Sequence, residues 1–356
     1  MIHRKCFWLL LALAALLPAS CAPQGDTIQG CGATFPAPLY KRWFLEYYLM
    51  FPDVRVNYQA VGSGAGVRQF EEGLVHFGAT DEAVKPERLT DIAHILSERE
   101  RRPVELIQIP LTSGSVAVCY NLPGKPQLKL ARKVYVGMVL GLITFWDDPA
   151  IKATNPDVAL PHLEITFVRR ADSGGTTFVF TNHLNSADPR WQRDNSGPGP
   201  GKTVQWPVGI GGKGNSGVAA LIEQTPGAFG YLETGYAELV GLPMAALENR
   251  TGHFVEPNDE SSRAGLRGAK FDKVLGAAVP DPTGEDAYPI VSFTWVICRK
   301  KYATKSIGDE LKKVLSYCLE EAPGRGQALS KQLGYVPLQE EALVLARQAI
   351  EEINAD

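Results

Sequence analysis

The stretch VRVNYQAVGSGAGVRQFEEGL, residues 54–74, decides the fold class. Residues 54–61 alternate between apolar and polar side chains, which is the pattern of a half-buried β-strand. The glycine-rich run 62–66 then predicts a turn, and residues 67–74 have helical spacing. A strand, a glycine turn and a helix in this order form the repeating unit of α/β proteins, so we predict an α/β fold.

The flanking sequence continues this pattern. Residues 75–81 predict a short strand that ends at an acid. Residues 115–120 and 292–298 are strongly apolar, β-rich and bounded by turn residues, and we predict that they are two hinge strands joining two lobes. Residues 307–321 and 339–353 carry apolar side chains at helical spacing among charges, which indicates amphipathic surface helices.

The size of the chain and its first residues indicate two lobes and export. A chain of 356 residues with 45% hydrophobic side chains exceeds one average domain. At the N-terminus, basic residues precede an apolar run at 7–17, and small residues follow before Cys21. This predicts a secretory signal peptide over residues 1–20, because the apolar run is too short for a permanent membrane span.

The charge of the chain excludes a broad electrostatic surface for anions. Removing residues 1–20 takes away Arg4 and Lys5 and no acid, which leaves 34 basic and 39 acidic residues, a net charge of -5. An acidic protein does not attract anions through its overall field, so anion binding must come from a local group of residues. We therefore expect no nucleic acid as a partner.

Cysteine spacing argues against a metal centre. After export, the chain retains Cys31, Cys119, Cys298 and Cys318 besides Cys21, and they show no C-x-x-C spacing. A zinc site is therefore not expected, and we predict no metal and no cofactor. Disulfides remain open because four cysteines allow three pairings, although for Cys119 and Cys298 we favour buried free thiols in strands.

Residues 168–178, VRRADSGGTTF, predict a pocket for an oxyanion. Arg170 offers a planar set of donors with a permanent charge, and Asp172 lies where it can hold the guanidinium in place. The small residues 173–176 precede an apolar helical stretch, so bare backbone N–H groups can point at a ligand from a helix N-terminus.

Three further positions have side chains suited to the same site. Thr34 precedes a helix that begins with prolines, so it can cap that helix and leave the amide near Phe35 free, and Ser63 lies at another helix N-terminus. Taken alone, the Thr34 motif favours an ordinary capped helix, and the Ser63 motif is weak. Asp81 would repel an anion unless it accepts a proton that the ligand carries, and phosphate carries such a proton whereas sulfate does not.

Several segments together resemble the phosphate-binding proteins of bacterial ABC phosphate importers. The match runs in order over nearly the whole mature chain. It includes residues 32–40, 57–67, 77–81, 143–148, 169–181, 206–215, 226–231 and 286–290.

The resemblance implies a two-lobed periplasmic-binding-protein type 2 fold, in which each lobe is a mixed sheet flanked by helices. Lobe I would comprise residues 21–121 and 290–356, and lobe II residues 122–289. A protein of this kind binds inorganic phosphate between its lobes with high affinity and delivers it to the membrane permease subunits of the importer. We expect it to act as a monomer, to need no cofactor and not to be an enzyme.

Carried over position by position, the resemblance also implies a ligand site. Its direct phosphate contacts would be Thr34, Phe35, Ser63, Asp81, Arg170, Gly174, Gly175 and Thr176, with Asp172 and Ser173 in support. The family usually has Asp-Gly-Ser-Gly-Thr where this chain has Asp172-Ser173-Gly174-Gly175-Thr176. The hydroxyl expected at position 174 is therefore replaced by a backbone amide or by Ser173 in a shifted loop.

The residues before Cys21 resemble the lipobox of bacterial lipoproteins, in which cleavage precedes a cysteine that carries the lipid. Pro18 departs from the pattern, because leucine is usual there. The resemblance implies a periplasmic or cell-surface protein attached to the membrane through Cys21. A simple secretory signal cleaved nearby is the alternative.

Two other functions compete with phosphate transport. Asp172-Ser173-Gly174-Gly175 imitates the nucleophile motif of trypsin-like proteases, which makes a serine hydrolase using Ser173 one alternative. The alternation of strands and helices contradicts the all-β fold of those enzymes. The other alternative is a binding protein retuned to another oxyanion, for which the Ser173-Gly174 transposition is the only hint.

Overall fold

The computed structural model describes residues 27–354, so the predicted signal peptide at 1–20 and the lipid candidate Cys21 lie outside the described residues. The strands of this part are β1 (Thr27–Gly32), β2 (Arg55–Ala60), β3 (Phe77–Thr80), β4 (Leu106–Tyr120), β5 (Lys129–Leu130), β6 (Thr166–Arg170), β7 (Ile210–Gly212), β8 (Ala228–Glu233), β9 (Ala246–Glu248), β10 (Phe254–Val255) and β11 (Val291–Arg299).

The helices alternate with these strands, as expected for an α/β protein. They are α1 (Ala37–Met50), α2 (Ser63–Glu71), α3 (Pro86–Glu100), α4 (Arg132–Val139), α5 (Pro149–Lys152), α6 (Gly175–Ala187), α7 (Gly214–Gln224), α8 (Thr234–Val240), α9 (Asp259–Leu266), α10 (Lys305–Cys318), α11 (Gly326–Gln332) and α12 (Glu340–Glu351), with 3-10 turns at Pro189–Trp191 and Arg193–Asn195.

Eight strands form one mixed sheet in the order β2-β1-β3-β11-β4-β8-β6-β7. The β1 strand runs parallel to β2 and β3, and β6 runs parallel to β7 and β8, whereas β11 and β4 are antiparallel to their neighbours. We call β2, β1, β3 and β11 the first half-sheet and β8, β6 and β7 the second. A separate three-stranded sheet has the order β10-β9-β5. The predicted α/β fold with mixed sheets is confirmed.

The long strand β4 belongs to both half-sheets. Its residues 106–115 pair with β11, and its residues 116–120 pair with β8. The segment 115–120, predicted as a hinge strand, is therefore the end of a 15-residue strand that crosses between the halves. The other predicted hinge strand forms β11, which pairs with β3 and β4 and so lies in the first half. The lobe boundaries at 121/122 and 289/290 stay predictions.

The predicted local elements form in the expected places. Residues 54–61 contain β2 and residues 75–81 contain β3, with Asp81 directly after the strand. The two C-terminal amphipathic segments form α10 and α12, and α10 packs on α1 and α12. Their apolar faces are buried because these helices cover the first half of the sheet.

The four described cysteines are buried free thiols, which confirms the preference for free thiols at Cys119 in β4 and Cys298 in β11. Burial raises the pKa of the Cys31 thiol to about 11 and that of Cys298 to about 12. Within residues 27–354, no helix combines the length and the apolar character needed to cross a bilayer.

Candidate functional site: an anion cradle between the two halves

Helix N-termini from both halves of the sheet converge on one place. The α2 helix begins at Ser63 in the first half, and α6 and α7 begin at Gly175 and Gly214 in the second. Among residues 27–354, no side chain caps α2 or α6. Uncapped N–H groups and the positive ends of several helix dipoles favour an anion at this point.

Thr34 also lies at this point between the two halves, which we call the cleft. It does not cap α1, so the capping prediction is wrong. The N-cap position is Pro36, and no side chain of the described residues makes a capping hydrogen bond to this helix. The Thr34 hydroxyl instead accepts a hydrogen bond from Asn215 Nδ2 at 3.0 Å. In the described part of the chain, no acceptor lies against the Phe35 N–H, which leaves that donor for a ligand.

Arg170 supplies a fixed positive charge at the end of β6. The residue is only 3% exposed, and its Nε and Nη2 donate to the two carboxylate oxygens of Asp172 at 2.7 and 2.5 Å. Although burial opposes the charge, the hydrogen bonds and negative charge of Asp172 hold the pKa of Arg170 above its usual value. The Nη1 atom lies 3.4 Å from the Thr176 hydroxyl, which directs it toward the start of α6.

Asp172 holds the guanidinium and also links two elements. Its Oδ1 accepts a hydrogen bond from the Gly214 N–H at 3.0 Å, at the start of α7. Burial alone would raise the pKa of Asp172, but the hydrogen bonds and charge of Arg170 lower it below the usual value. The pair therefore stays ionised, and the bidentate geometry fixes the orientation of the guanidinium.

Asp81 lies opposite this pair, directly after β3, and is 1% exposed. Its Oδ1 accepts from the Thr294 hydroxyl at 3.0 Å, and its Oδ2 accepts from the Ser63 hydroxyl at 3.3 Å. Burial raises its pKa from 3.8 to about 7, against the opposing effects of Thr294, Arg170 and Ser63. A carboxyl group that titrates near neutrality can accept a proton from a bound oxyanion.

The loop between β6 and α6 closes the cradle from the second half. The Ser173 carbonyl accepts from the Gly64 N–H at 3.1 Å, across the cleft. The Gly174 N–H donates to the Lys202 carbonyl at 3.0 Å, so that amide is already engaged. In the described part of the chain, no acceptor lies against the N–H groups of Gly175 and Thr176. These two N–H groups are therefore available to a ligand.

The transposition of serine and glycine has a geometric basis in this structure. A Cβ atom at Gly174 would lie 2.7 Å from the guanidinium carbon of Arg170, closer than any ordinary contact. Glycine at this position lets the guanidinium occupy its site beneath the loop. The Ser173 side chain lies against Gly64 of α2.

The hydrolase alternative finds no support in the surroundings of Ser173. The ring nitrogens of four histidines in residues 27–354 bond elsewhere, and the fifth lies on the exposed side of α3. In order, they are His76, His162, His183, His253 and His94. A serine nucleophile needs a base within hydrogen-bond reach, and no described histidine hydrogen-bonds to this serine.

Two further residues hydrogen-bond to the predicted site residues, although they were not themselves predicted as site residues. Asn215, at the start of α7, is fully buried and bonds to the hydroxyls of both Thr34 and Thr176. Thr294, in β11, holds one oxygen of Asp81. Thr294 lies in a strand without a local signal, whereas Asn215 directly follows the glycine-rich run 211–214 at the start of a helix, which is the kind of signal that marked Ser63. Asn215 did lie in the segment 206–215 that carried the family resemblance.

The structure thus assembles the predicted residues around one cleft. A model of the PBP superfamily domain matches residues 18–322. The phosphate-binding protein PstS of Methanocaldococcus jannaschii is 34% identical, with 99% of this chain and 96% of that protein covered. That of Haemophilus influenzae is 36% identical, with 88% and 90% covered.

Solved structures share the fold. A high-affinity periplasmic phosphate-binding protein bound with phosphate matches with a TM-score of 0.71 at 21% identity, over 91% of this chain and 93% of that one. A phosphate-binding protein from Stenotrophomonas maltophilia matches with a TM-score of 0.71 at 22% identity, over the same shares. By the extent and identity of the sequence matches, the chain belongs to the PstS family of phosphate-binding proteins within the PBP superfamily.

Proposed function

We propose that this protein binds inorganic phosphate between its two halves and delivers it to the membrane permease of an ABC phosphate importer. One observation carries the proposal: a buried permanent cation, Arg170, and a buried proton acceptor, Asp81, face the same group of helix N-termini. The cation and the helix dipoles favour an anion, and the carboxyl group favours an anion that still carries a proton. The family of phosphate-binding proteins to which the chain belongs supports the same ligand.

Phosphate fits this combination better than sulfate does. Near neutral pH phosphate retains at least one proton and can donate it to Asp81, whereas sulfate has none and would place two buried negative groups together. A site that pairs with a particular ligand proton rejects analogues that lack it by factors of up to roughly 10⁴ to 10⁵.

The ligand contacts that we propose come from both halves. The first half contributes two hydroxyls, one free amide and one proton acceptor; the second contributes the guanidinium and the amides and hydroxyl at the start of α6. They are Thr34, Phe35, Ser63, Asp81, Arg170, Gly175 and Thr176. Gly174 takes part through its lack of a side chain, since its N–H already donates to Lys202.

Closure of the halves around phosphate would couple binding to transport. A bound anion accepts hydrogen bonds from donors of both halves, so it favours the closed arrangement, which then docks on the permease subunits. The Lys202–Glu82 ion pair at 2.8 Å and the Ser173–Gly64 hydrogen bond join the halves in the same arrangement.

Export and anchoring complete the proposal. Residues 1–20 act as a signal peptide and Cys21 carries a lipid, which holds the protein at the periplasmic or cell-surface side of a membrane. The protein works as a monomer, without a cofactor and without catalysis. Mass spectrometry of the mature N-terminus tests this part: a diacylated Cys21 supports it, and an unmodified N-terminus contradicts it.

The ligand is tested by calorimetric titration of the mature protein with phosphate, arsenate and sulfate. We expect phosphate and arsenate to bind and sulfate to bind much more weakly. No heat with phosphate, together with unchanged tryptophan fluorescence, would overturn the proposal. Release of product from phosphate esters would instead support the hydrolase.

The role of Asp81 is tested by Asp81→Asn. The amide can donate to an oxyanion that lacks a proton, so the preference for phosphate over sulfate should narrow by at least about tenfold. The matched control is Glu82→Gln, which neutralises the adjacent carboxylate that pairs with Lys202 instead. Equal discrimination in wild type and Asp81→Asn would show that this proton acceptor does not set selectivity.

A further inference from the structure

Asn215 makes hydrogen bonds to both halves of the cleft. Its Nδ2 donates to Thr34 Oγ1 at 3.0 Å in the first half and to Thr176 Oγ1 at 3.1 Å in the second. Its Oδ1 accepts from the Glu233 N–H at 3.1 Å. A backbone N–H can only donate, so the accepting atom is oxygen, and the two amide hydrogens must face the hydroxyls.

The remaining bonds of these hydroxyls determine where their protons go. Thr176 Oγ1 also accepts from Arg170 Nη1 at 3.4 Å, and Thr34 Oγ1 also accepts from the Asn215 backbone N–H at 3.4 Å. A hydroxyl oxygen has two lone pairs and one hydrogen. Each oxygen therefore has both lone pairs occupied by groups that can only donate, and its hydrogen is left for an acceptor elsewhere.

We propose that Asn215 is a positioning residue that fixes the hydroxyls of Thr34 and Thr176 as donors to the bound anion, one from each half. The ligand oxygens that face them must then be unprotonated, which leaves the Asp81 side for a ligand proton. This inference rests on the proposed phosphate function and extends it, because it states which ligand oxygens carry no proton.

The first test is a thermodynamic cycle on phosphate affinity, measured by calorimetry. Asn215→Ala frees both hydroxyls to rotate, so we expect phosphate affinity to fall roughly tenfold or more. In the Thr34→Val/Thr176→Val background no hydroxyl remains to be oriented, and Asn215→Ala should change affinity by less than about twofold. An equal loss in both backgrounds, or no loss in either, would overturn the inference.

A second variant reverses the polarity of the contact. Asn215→Asp keeps the size of the side chain and its acceptor for Glu233, but a carboxylate draws both hydroxyl protons toward itself. Lone pairs of the two threonine oxygens then face the ligand. Relative to wild type, the variant should therefore lose more phosphate affinity at pH 8 than at pH 5.5, because phosphate carries a second proton at pH 5.5 and can donate it. In the Thr34→Val/Thr176→Val background, the aspartate charge still repels the ligand, but no hydroxyls are present to be reversed.

The pH dependence should therefore be larger in the threonine background than in the valine background, and identical profiles would contradict the inference. Thermal melts of each variant establish that it is folded. If wild-type protein gives no heat with phosphate, the proposed function itself fails. If wild type binds phosphate and the cycle shows no coupling, only the role of Asn215 fails.

Discussion

At the scale of single residues, the burial of Asp81 favours ligand selectivity but lowers the stability of the fold. Burial raises its pKa to about 7, although Thr294, Arg170 and Ser63 all act to lower it. The group can thus accept a proton from phosphate near neutral pH. In the empty protein, the same burial makes the charged form unfavourable, so selectivity for the ligand is linked to a loss of stability.

This link predicts how Asp81→Asn changes stability with pH. Below a pH of about 3.8 the carboxyl group is protonated in both the folded and unfolded states. As the pH rises to about 7, the unfolded chain loses the proton first, which lowers the free energy of unfolding by up to about 4 kcal/mol. Asparagine cannot ionise, so the variant avoids this loss.

Urea unfolding in phosphate-free buffer measures the effect. The stability of Asp81→Asn relative to wild type should increase between about pH 4 and pH 8. Glu82→Gln, at the more exposed neighbouring carboxylate that pairs with Lys202, removes one charge next to Asp81 and serves as the control. A relative stability of Asp81→Asn that is independent of pH would show that Asp81 is not buried as a neutral group.

Most residues of the cleft are predictable from the sequence because each lies in a local motif. Ser63 lies in a glycine-rich turn after a predicted strand, Arg170 precedes small residues before a predicted helix, and Asp81 ends a predicted strand. Thr294 lies in no such motif, and although Asn215 follows a glycine-rich run, no local pattern indicates that it bonds to Thr34 and Thr176. Their positions follow from sheet order and helix packing, which single-sequence patterns do not specify.

At the scale of elements, the predictions succeeded in type and failed at boundaries. The helix expected from residue 67 begins at Ser63, because Gly62 has a φ of 95° and turns the chain at once into α2. The length of β4 was also missed, since Pro110 and the polar residues after it resemble a break. Pro110 pairs with Trp295 next to a β-bulge, which lets the strand continue past the proline.

In the loop before α6, restoring the family's serine at position 174 should weaken phosphate binding. In Gly174→Ser the new Cβ would lie 2.7 Å from the guanidinium carbon of Arg170, and Asp172 prevents that group from moving away easily. We expect phosphate affinity to fall by roughly tenfold or more, because a displaced guanidinium loses charged hydrogen bonds. Calorimetric titration measures the change.

Gly174→Ala separates the two effects of that substitution, because it adds the Cβ without the hydroxyl. Both variants should weaken binding to a similar extent if the contact with Arg170 dominates. Tighter phosphate binding by Gly174→Ser than by wild type would mean that the loop shifts to accommodate the serine. In that case the added hydroxyl reaches the ligand.

At the scale of the whole molecule, the two halves contact each other directly, and several of these contacts involve backbone atoms or glycines. Gly64 donates to Ser173 across the cleft, and Lys202 pairs with Glu82 while its carbonyl accepts from Gly174. The ion pair is partly exposed, so its contribution is of the order of 1 kcal/mol or less. Close approach therefore depends on residues that leave space, and among these are glycines on both sides.

Gly175 is one of the positions where that space is small. A Cβ atom there would clash with Ser63 Oγ and Asp81 Oδ2, which both belong to the opposite half. Since Ser63 and Asp81 are fully buried and bonded to each other, they cannot move aside without opening the cleft. In Gly175→Ala, phosphate should bind at least about tenfold more weakly, and the remaining complex should stay open.

Small-angle X-ray scattering of Gly175→Ala should then show no compaction on adding phosphate, whereas wild type should become more compact. The control is Gly217→Ala in α7, whose new carbon has Gly212 and Lys213 of its own half as nearest neighbours. Compaction of Gly175→Ala equal to that of wild type would show that closure does not require the contact between Gly175 and the first half.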